Sequence, residues 1–444
     1  MLRILVLMAA SLALTGCAQL TLAWADLAPK DRPAEPNILG PFEGLTFVGL
    51  TGSAQSTTPA TPVERWETQL KPAYRAALET HVYGRMPDAS ETTLISRRVL
   101  NEAAFDGTGV LEELELTATA DFSGRKVTTG FGDNKPFYVE LILPKNAAGP
   151  VPVIVMETFC SRWSAVPDPA VTGPEERGNG GPLSGLMLYT FGRYICVPPY
   201  ADILSAGYAV AVIYPNEVLP DASERGMAEL ARMSSGMVDD ESRWGSIGAW
   251  GWLFSRVIDI LETDERLDND AMVVWGHSRY GKAALVAAAY DERIDGVVSH
   301  QSGTGGASLN RKKPGESIAS ITKNYPHWFA KRYASYGDSA EDMPVDQHML
   351  LGLIAPRPVL LGNARRDVWS DPNGAFRAAQ GANPAYALFG SQGLTSEKLN
   401  DYRPADDIAY WIRPGTHGVV EEDWPAFTAF LEAHFPARPP LAMR

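Results

Sequence analysis

The segment covering residues 273–284 constrains the fold of this chain more than any other stretch. A Val-Val-Trp run ends at Gly276, Ser278 follows, and Gly281 opens an Ala-rich stretch. A strand that turns sharply into a helix at a serine between glycines is a nucleophile elbow, which lifts one hydroxyl above a parallel sheet. The second glycine stands one residue later than in the usual G-x-S-x-G pattern. The alternative is an ordinary serine in a glycine-containing turn, and the surrounding elements favour the elbow.

Those elements indicate a parallel-rich α/β sheet. A helix is predicted over residues 62–83, and strand-like patterns over residues 93–100, 111–120 and 137–143 predict an antiparallel start. Later runs are apolar throughout, which is typical of strands buried on both faces: residues 151–156, 208–213, 272–275, 294–299, 358–362 and 406–412. Helical stripes cover residues 244–261 and 424–434. We predict an α/β-hydrolase fold, with a mostly parallel central sheet, flanking helices and insertions around the active-site cleft.

Composition excludes one class of partner and sets the domain count. The chain has 444 residues, of which 45% are apolar and 21% are charged, and this is ordinary for a globular protein with a large core. Its net charge of −14 argues against nucleic acid, which binds basic patches. We expect one α/β-hydrolase domain over residues 61–444, and a monomer.

The first residues predict export and a lipid anchor. Residues 1–17 have a basic start, a short apolar core and the sequence Leu-Thr-Gly-Cys ending at Cys17. The apolar core is too short to span a membrane, and the last four residues resemble a lipobox. An ordinary secretion signal with an incidental cysteine is the alternative. Residues 18–60 are predicted to be a flexible linker, and the absence of an acidic residue after Cys17 favours the outer membrane.

No cofactor or metal is implied by the sequence. None of the seven histidines is spaced as a metal ligand with another His, a Cys or a well-placed carboxylate. The remaining two cysteines, Cys160 and Cys196, either form a disulfide, which export permits, or stay as buried thiols. We leave that choice open at this stage.

A serine nucleophile needs a histidine base and an acid that orients it, and in this fold they follow the serine in the order acid, then histidine. His417 lies in a turn-rich loop after the last predicted strand, whereas His434 ends an amphipathic helix and is the weaker candidate. Two aspartates follow the strand at residues 358–362. Asp367 is the first choice, because Asp371 precedes a proline and fits a turn or a helix cap equally well.

Several motifs together resemble the glucuronoyl esterases, carbohydrate esterase family 15, and in particular their bacterial members. The likeness covers roughly residues 60–435. The Ser-Arg-x-Gly-Lys elbow is more specific than a bare G-x-S-x-G. The stretches that carry the resemblance are Gly276-His-Ser-Arg-Tyr-Gly-Lys282, Ser302-Gly-Thr-Gly-Gly-Ala307, Arg413-x-Gly-x-His417, Trp244-Gly-Ser-Ile-Gly-Ala-Trp-Gly-Trp252, Tyr325-Pro-His-Trp328, residues 344–351 and Asp367-Val-Trp-Ser-Asp-Pro372.

The resemblance implies a serine esterase that cleaves esters between 4-O-methylglucuronic acid on xylan and alcohols of lignin. Ser278 is then the nucleophile and His417 the base. Arg279 contributes to the oxyanion site through its backbone N–H and its guanidinium, which places fixed charge where the oxyanion develops.

The resemblance also implies a binding site for the uronosyl ring. Lys282 and Glu316 hydrogen-bond the ring hydroxyls, and Trp369 packs beside the ring. Lys282 follows Ser278 by one helical turn, so both can point at one ligand. The alternative for Lys282 and Glu316 is a solvated helix face or a surface ion pair.

One position departs from the family pattern. Many members carry a catalytic Glu on the strand after the elbow, where this chain has Gln301, which we place among the substrate-binding candidates. An amide can orient a histidine but cannot stabilise an imidazolium by charge, so we assign that role to Asp367. Two other functions stay open. One is another carbohydrate esterase, such as a xylan deacetylase, and the other is a polysaccharide-binding lipoprotein with a degenerate site.

Overall fold

The computed structural model describes residues 61–129, 136–171, 190–311 and 315–437. The predicted signal segment, Cys17 and the linker lie outside these ranges. Within them, no helix has the length and apolarity needed to cross a bilayer. The same residues contain no group of three or more His, Cys, Asp or Glu side chains that could hold a metal ion.

The strands are Ala89–Ala104 (β1), Gly109–Phe122 (β2), Arg125–Thr128 (β3), Phe137–Pro144 (β4), Val151–Glu157 (β5), Ala209–Ile213 (β6), Leu267–His277 (β7), Gly296–His300 (β8), Val359–Ala364 (β9) and Ile408–Arg413 (β10). The α-helices are Pro62–Arg65 (α1), Lys71–Leu78 (α2), Arg162–Ala165 (α3), Tyr200–Ser205 (α4), Ser223–Met233 (α5), Ser246–Leu261 (α6), Arg279–Tyr290 (α7), Ile318–Asn324 (α8), Lys331–Ala334 (α9), Gln347–Gly352 (α10), Pro372–Ala387 (α11) and Asp423–His434 (α12). Short 3-10 turns cover Pro215–Glu217 and Ala340–Asp342.

The strands form one mixed ten-stranded sheet in the order β1-β2-β4-β6-β5-β7-β8-β9-β10, with β3 paired to β2. The pairs β1-β2, β2-β3, β2-β4 and β4-β6 are antiparallel. The pairs β6-β5, β5-β7, β7-β8, β8-β9 and β9-β10 are parallel. This topology confirms the predicted antiparallel start and parallel-rich α/β-hydrolase sheet. The carboxyl ends of the parallel strands meet at one edge, where such folds build their sites.

The apolar runs form strands because both sheet faces are covered. Along β5, Val153 and Val155 face one core cluster and Ile154 and Met156 face the other. Helices α6 and α7 contribute to the first cluster, and α4 and α12 contribute to the second. Continuous apolar sequence is therefore required, as predicted.

Two local features differ from the sequence prediction. The predicted helix over residues 62–83 is helical throughout, but π-helical turns at Trp66–Leu70 and Glu79–Tyr83 interrupt its α-helical parts. Gly84 ends it in a left-handed conformation with φ of 84°. Strand β3 was not predicted, because its sequence Arg-Lys-Val-Thr carries no apolar alternation.

Candidate active site

The turn after β7 presents Ser278 in a strained backbone conformation. Its φ is 57° and its ψ is −121°, a region that non-glycine residues rarely occupy and that nucleophile elbows require. The Ser278 N–H donates to the carbonyl of His300 at 2.8 Å, and α7 starts at the next residue. These contacts hold the serine between the end of β7 and the start of α7.

Close backbone packing explains both glycines of the elbow. A Cβ on Gly276 would lie 2.1 Å from the carbonyl oxygen of Tyr280. A Cβ on Gly281 would lie 2.9 Å from the carbonyl oxygen of Gly276 and 3.1 Å from that of His300. The displaced second glycine therefore serves the same purpose as its usual counterpart, which is to let helix and strand approach closely.

The loop after β10 brings His417 to the elbow. The ring of His417 lies against the ring of His277, the residue before Ser278, with 4.6 Å between centroids. Its Nδ1 is 2.7 Å from Oδ2 of Asp367. The His417 side chain is 30% exposed, while the Asp367 side chain is 1% exposed. With Nδ1 bound to the carboxylate, Nε2 is the nitrogen that can exchange a proton with a hydroxyl.

Asp367 is held as a carboxylate although it is buried. Its Oδ2 accepts from the Ser370 hydroxyl at 2.6 Å, and its Oδ1 accepts from the Ser370 N–H at 3.3 Å. Burial by itself raises the pKa of Asp367, but the His417 imidazole and the Ser370 donors hold it below its ordinary value. Ser370 was not identified from the sequence, because its role depends on how this loop folds.

The alternative acid and the alternative base lie elsewhere. Asp371 adopts a left-handed conformation with φ of 48° and caps α11, where its side chain accepts from the Gly374 N–H at 3.0 Å. His434 lies at the end of α12, with Nε2 3.1 Å from the Asp406 carbonyl oxygen. The structure therefore pairs His417 with Asp367 rather than with Asp371.

Gln301 binds the backbone on both sides of His417. Its Oε1 accepts from the Gly418 N–H at 2.8 Å, and its Nε2 lies 3.4 Å from the Thr416 carbonyl oxygen. The side chain is buried. The amide is thus directed at the backbone of the His417 loop, and a contact of Gln301 with substrate stays a prediction.

A buried ion pair anchors the same loop from the other side. Arg413 Nε lies 2.9 Å from both carboxylate oxygens of Asp423, and Arg413 Nη2 donates to the Gly418 carbonyl at 2.7 Å. Burial by itself raises the pKa of Asp423, but the neighbouring His300 and Arg413 side chains and the Val420 N–H bring it to about 2. The sequence analysis included Arg413 only as part of a motif, without a role of its own, and did not predict a role for Asp423.

Two buried histidines, His277 and His300, lie beneath the His417 loop. The Nδ1 atoms of His277 and His300 are 3.1 Å apart, so one ring donates and the other accepts. Burial lowers the pKa of both, most strongly that of His277. Both rings are therefore neutral at physiological pH, and His277 gives the His417 ring an uncharged surface to pack against.

Arg279, the first residue of α7, lies in a cage of one carboxylate and three aromatic rings. Its Nη1 donates to Asp221, and its guanidinium carbon is 4.8 Å from the ring centroid of Trp328, 5.2 Å from that of Phe159 and 5.8 Å from that of Tyr325. Burial lowers the pKa of Arg279. An arginine nevertheless stays charged in proteins, so the cage holds a cation beside the nucleophile.

Asp221 is shared among three donors. Besides Arg279, it accepts from Nε2 of His327 and from Nε1 of Trp328, each at 2.9 Å. Burial and the neighbouring Arg279 lower the pKa of His327 to about 4, which keeps that ring neutral. The sequence prediction included the Tyr-Pro-His-Trp stretch but missed Asp221, which comes from a distant loop without any motif of its own.

Two of the predicted ring-binding residues, Lys282 and Glu316, contact the loop that contains Ser302 and Thr304. Lys282 is 4% exposed, and its Nζ donates to the carbonyl oxygens of Ser302 and of Thr304, the latter at 2.7 Å. This burial excludes the solvated-face alternative for Lys282. The Thr304 hydroxyl also donates to the carbonyl of Glu316 at 2.6 Å, which ties the predicted partner to the same loop.

Trp369 is the exposed member of the predicted set, at 59%. The loop that carries it touches the loop that carries Glu316, because a Cβ on Gly315 would lie 2.2 Å from the Val368 carbonyl oxygen. The structure therefore places these two residues on adjoining loops. Their contacts with substrate stay predictions.

Cys160 and Cys196 form a disulfide, with 5.6 Å between their Cα atoms. The bond joins the loop after β5, which carries Phe159, to the segment that precedes α4. The choice left open by the sequence is thus decided in favour of the bonded pair.

Comparisons with known proteins extend the likeness beyond these residues. The family model for fungal glucuronyl esterases matches residues 236–390. Carbohydrate esterase MZ0003, from an unknown prokaryotic organism, is 32% identical over 387 residues, which is 85% of this chain and 87% of that protein. A promiscuous family 15 esterase from a marine bacterial metagenome superposes with a TM-score of 0.71 at 28% identity, covering 89% of this chain and 98% of the other.

A second solved structure gives the same result. The glucuronoyl esterase from Solibacter usitatus superposes with a TM-score of 0.70 at 29% identity, covering 89% of this chain and all of that one. Because the 32% identical relative covers 85% of this chain and both solved structures cover 89% of it, the chain belongs to carbohydrate esterase family 15, the glucuronoyl esterases.

Proposed function

We propose that this protein is a serine esterase that hydrolyses esters of glucuronic acid, or of its 4-O-methyl form, in plant or algal polysaccharide. The observation that carries the proposal is the 2.7 Å contact between His417 and buried Asp367, beside an elbow that presents Ser278. The names of the related proteins support the uronate ester as substrate class. No cofactor is required, because the three side chains supply nucleophile, base and orienting acid.

The first half of the reaction forms an acyl-enzyme. His417 Nε2 takes the proton of the Ser278 hydroxyl as its oxygen attacks the ester carbonyl carbon, and Asp367 stabilises the resulting imidazolium. Negative charge develops on the carbonyl oxygen, and the Arg279 backbone N–H and guanidinium stabilise it in this proposal. The C–O bond to the alcohol then breaks, and His417 returns its proton to the departing oxygen.

The second half repeats the chemistry with water. His417 removes a proton from water, whose oxygen attacks the acyl carbon. As the C–O bond to Ser278 breaks, His417 returns that proton to the serine oxygen, which releases the free uronic acid and restores the Ser278 hydroxyl. Lys282, Glu316 and Trp369 hold the uronosyl ring during both halves. Because Lys282 is bound to the loop containing Ser302 and Thr304, its ammonium is fixed near the elbow before substrate arrives.

Hydrolysis of benzyl and methyl glucuronate by the purified protein tests the proposal, with acetylated xylan as the competing substrate. We expect faster turnover of the glucuronates, loss of turnover in Ser278→Ala, and labelling of Ser278 by a fluorophosphonate. Faster release of acetate than of glucuronate would favour a deacetylase. Failure to label Ser278 in a folded protein would favour a binding protein.

We also propose that the enzyme is exported and anchored through a lipid on Cys17, with the outer membrane as its site. The support is the lipobox-like sequence ending at that residue. Labelling of cells with a fatty-acid analogue should mark the wild-type chain and spare Cys17→Ser. Equal labelling of both chains would count against the anchor.

A further inference from the structure

A cavity between α5 and the segment that joins α8 to α9 adjoins the cage of Arg279. Its volume is about 350 Å³, which lies within the range of ligand pockets, roughly 300–1,000 Å³. Met227 and Leu230 of α5 line it, as does Phe329 of the joining segment. The described residues that line it include none from the elbow and none from the His417 loop. The cavity is therefore distinct from the candidate active site.

Two buried polar atoms of the lining residues lack a hydrogen-bond partner among the described residues. They are Nδ1 of His327 and Nε1 of Trp244, whose side chains are 3% and 1% exposed. The neutral His327 ring donates through Nε2 to Asp221, so its Nδ1 is left as an acceptor, whereas the indole N–H of Trp244 is a donor. Buried polar groups without partners cost free energy, so this pair indicates a bound molecule that can both donate and accept.

The charges at the mouth of the cavity are already compensated. Arg243 Nε lies 2.9 Å from a carboxylate oxygen of Asp240, and Lys331 Nζ lies 2.8 Å from one of Glu241. An ionic ligand would have to compete with these pairs, whereas an uncharged molecule would not. Most of the other described lining residues are apolar: Met227, Leu230, Ala231, Pro326, Phe329, Ala330 and Ala334.

These features favour an uncharged ring that is apolar on its faces and carries hydroxyl groups around its edge. A pyranose sugar has this form: its C–H faces can pack against apolar side chains, while one hydroxyl donates to His327 and another accepts from Trp244. A phenol carries a single hydroxyl, so it matches the two separate polar atoms less well. The cavity is also larger than the roughly 150 Å³ that holds benzene, which leaves space for more than one ring.

We infer that this cavity binds a neutral sugar ring of a polysaccharide, at a site separate from the one that holds the ester. The choice of a polysaccharide as the source of the ring rests on the proposed function, whereas the sugar site itself does not. The site shares its wall with the cage of Arg279, because His327 donates to Asp221 and the Tyr325 ring lies 5.8 Å from the guanidinium carbon. A sugar bound there keeps the polymer on the enzyme between successive ester cleavages.

Titration calorimetry of the purified protein with xylotriose, a sugar that is uncharged and carries no ester, tests the inference. Ala231→Trp and Ala334→Trp each add an indole to the cavity, from α5 and α9 respectively, and should weaken xylotriose binding by about tenfold or more. Ala228→Trp is the matched control, since Ala228 is exposed on α5 and is not among the lining residues. We expect that control to keep wild-type affinity, and excess glucuronate to leave xylotriose binding unchanged.

Several results would overturn the sugar site. They are wild-type affinity in both wall variants, displacement of xylotriose by glucuronate, tighter binding of phenol than of xylotriose, and no binding of xylotriose at all, in which case the cavity holds water only. If one wall variant does not fold, the other decides. Hydrolysis of methyl and benzyl glucuronate is measured separately: a protein that binds xylotriose but cleaves neither ester would overturn the proposed function and leave the sugar site standing.

Discussion

The two sides of the elbow hold their reactive groups by different means. On one side, which we call the base corner (Gln301, Asp367, Ser370 and His417), backbone and side-chain hydrogen bonds hold an imidazole ring and its loop. On the other, the arginine corner (Asp221, Arg279, His327 and Trp328), one carboxylate and aromatic faces hold a permanent cation.

The difference follows from what each group does during turnover. In the proposed mechanism, His417 changes charge in every cycle, so it needs a buried carboxylate of its own to stabilise the imidazolium when it forms. Arg279 keeps its charge, so a partner devoted to it alone would neutralise the field that the oxyanion requires. Asp221 divides its acceptor capacity among Arg279, His327 and Trp328. Asp221 can therefore orient the guanidinium while leaving part of the positive charge of Arg279 available to the substrate.

The largest effect is expected from removing the charge of the base corner. Asp367→Asn keeps the shape of the side chain but no longer favours the imidazolium, so kcat should fall by about 10³–10⁴-fold. Steady-state kinetics on benzyl glucuronate measure this. Asp371→Asn is the matched control, since Asp371 caps α11 and should cost stability rather than turnover. The reverse pattern would assign the acid to Asp371.

The next effect concerns the anchor beneath the base corner. Asp423→Asn leaves Arg413 buried without its anion, which should lower the free energy of unfolding by about 3–5 kcal/mol at pH 7. Urea denaturation of wild type and variant measures the loss.

The pH dependence of that loss has a definite sign. Asp423 has a folded pKa of about 2 against an ordinary value of 3.8, so its stabilisation is present above pH 3.8 and disappears as the pH falls towards 2. The shift corresponds to a contribution on the order of 2 kcal/mol to the wild-type stability. A difference between wild type and variant that stays constant from pH 6 to pH 2 would contradict this assignment.

A smaller effect should come from the arginine corner. Asp221→Asn weakens the orientation of Arg279, and we expect kcat to fall about 10–100-fold with KM nearly unchanged, because the contact serves the transition state. In an Arg279→Ala background the same change should have little further effect. Asp240→Asn is the control, since Asp240 pairs with Arg243 at 2.9 Å on the surface. If the effects of Asp221→Asn and Arg279→Ala on the logarithm of kcat were fully additive, Asp221 would not act through Arg279 and its role would be structural.

The smallest effect is expected at Gln301. Gln301→Ala removes both contacts to the loop backbone while the Arg413–Asp423 anchor remains, so kcat should fall only about 3–10-fold. Measuring kcat of Gln301→Ala and of Asp367→Asn under the same conditions shows which side chain matters more for turnover. If Gln301→Ala abolished turnover and Asp367→Asn did not, Asp367 would lose its assignment as the acid.

The sequence supported the catalytic prediction wherever function depends on local backbone geometry. The elbow at Ser278 follows from a β-branched run and two glycines, because that turn is sterically possible only with small neighbours. The His417 loop and Asp367 follow from their positions after predicted strands, since parallel strands end at one edge. The alternating and continuous apolar runs predicted the sheet for the same kind of reason.

The residues that hold the candidate catalytic groups in place could not be predicted from sequence in this way. Asp221, Ser370 and Asp423 carry no motif, and each acquires its role by contacting a group far away in sequence. Gln301 was visible in the sequence, but its contacts with the backbone around His417 were not. A hydrogen bond depends on distances of a few tenths of an ångström, which only the packed molecule defines.

By itself, then, the amino-acid order determined the parallel-rich sheet, the strained serine turn and the family likeness, since these depend on periodicity, glycine placement and short motifs. Tertiary structure alone decided which aspartate contacts His417, how Arg279 is caged, and that Cys160 bonds to Cys196. Those outcomes require side chains from separate loops to meet, and no local pattern records where a loop will be when the chain is folded.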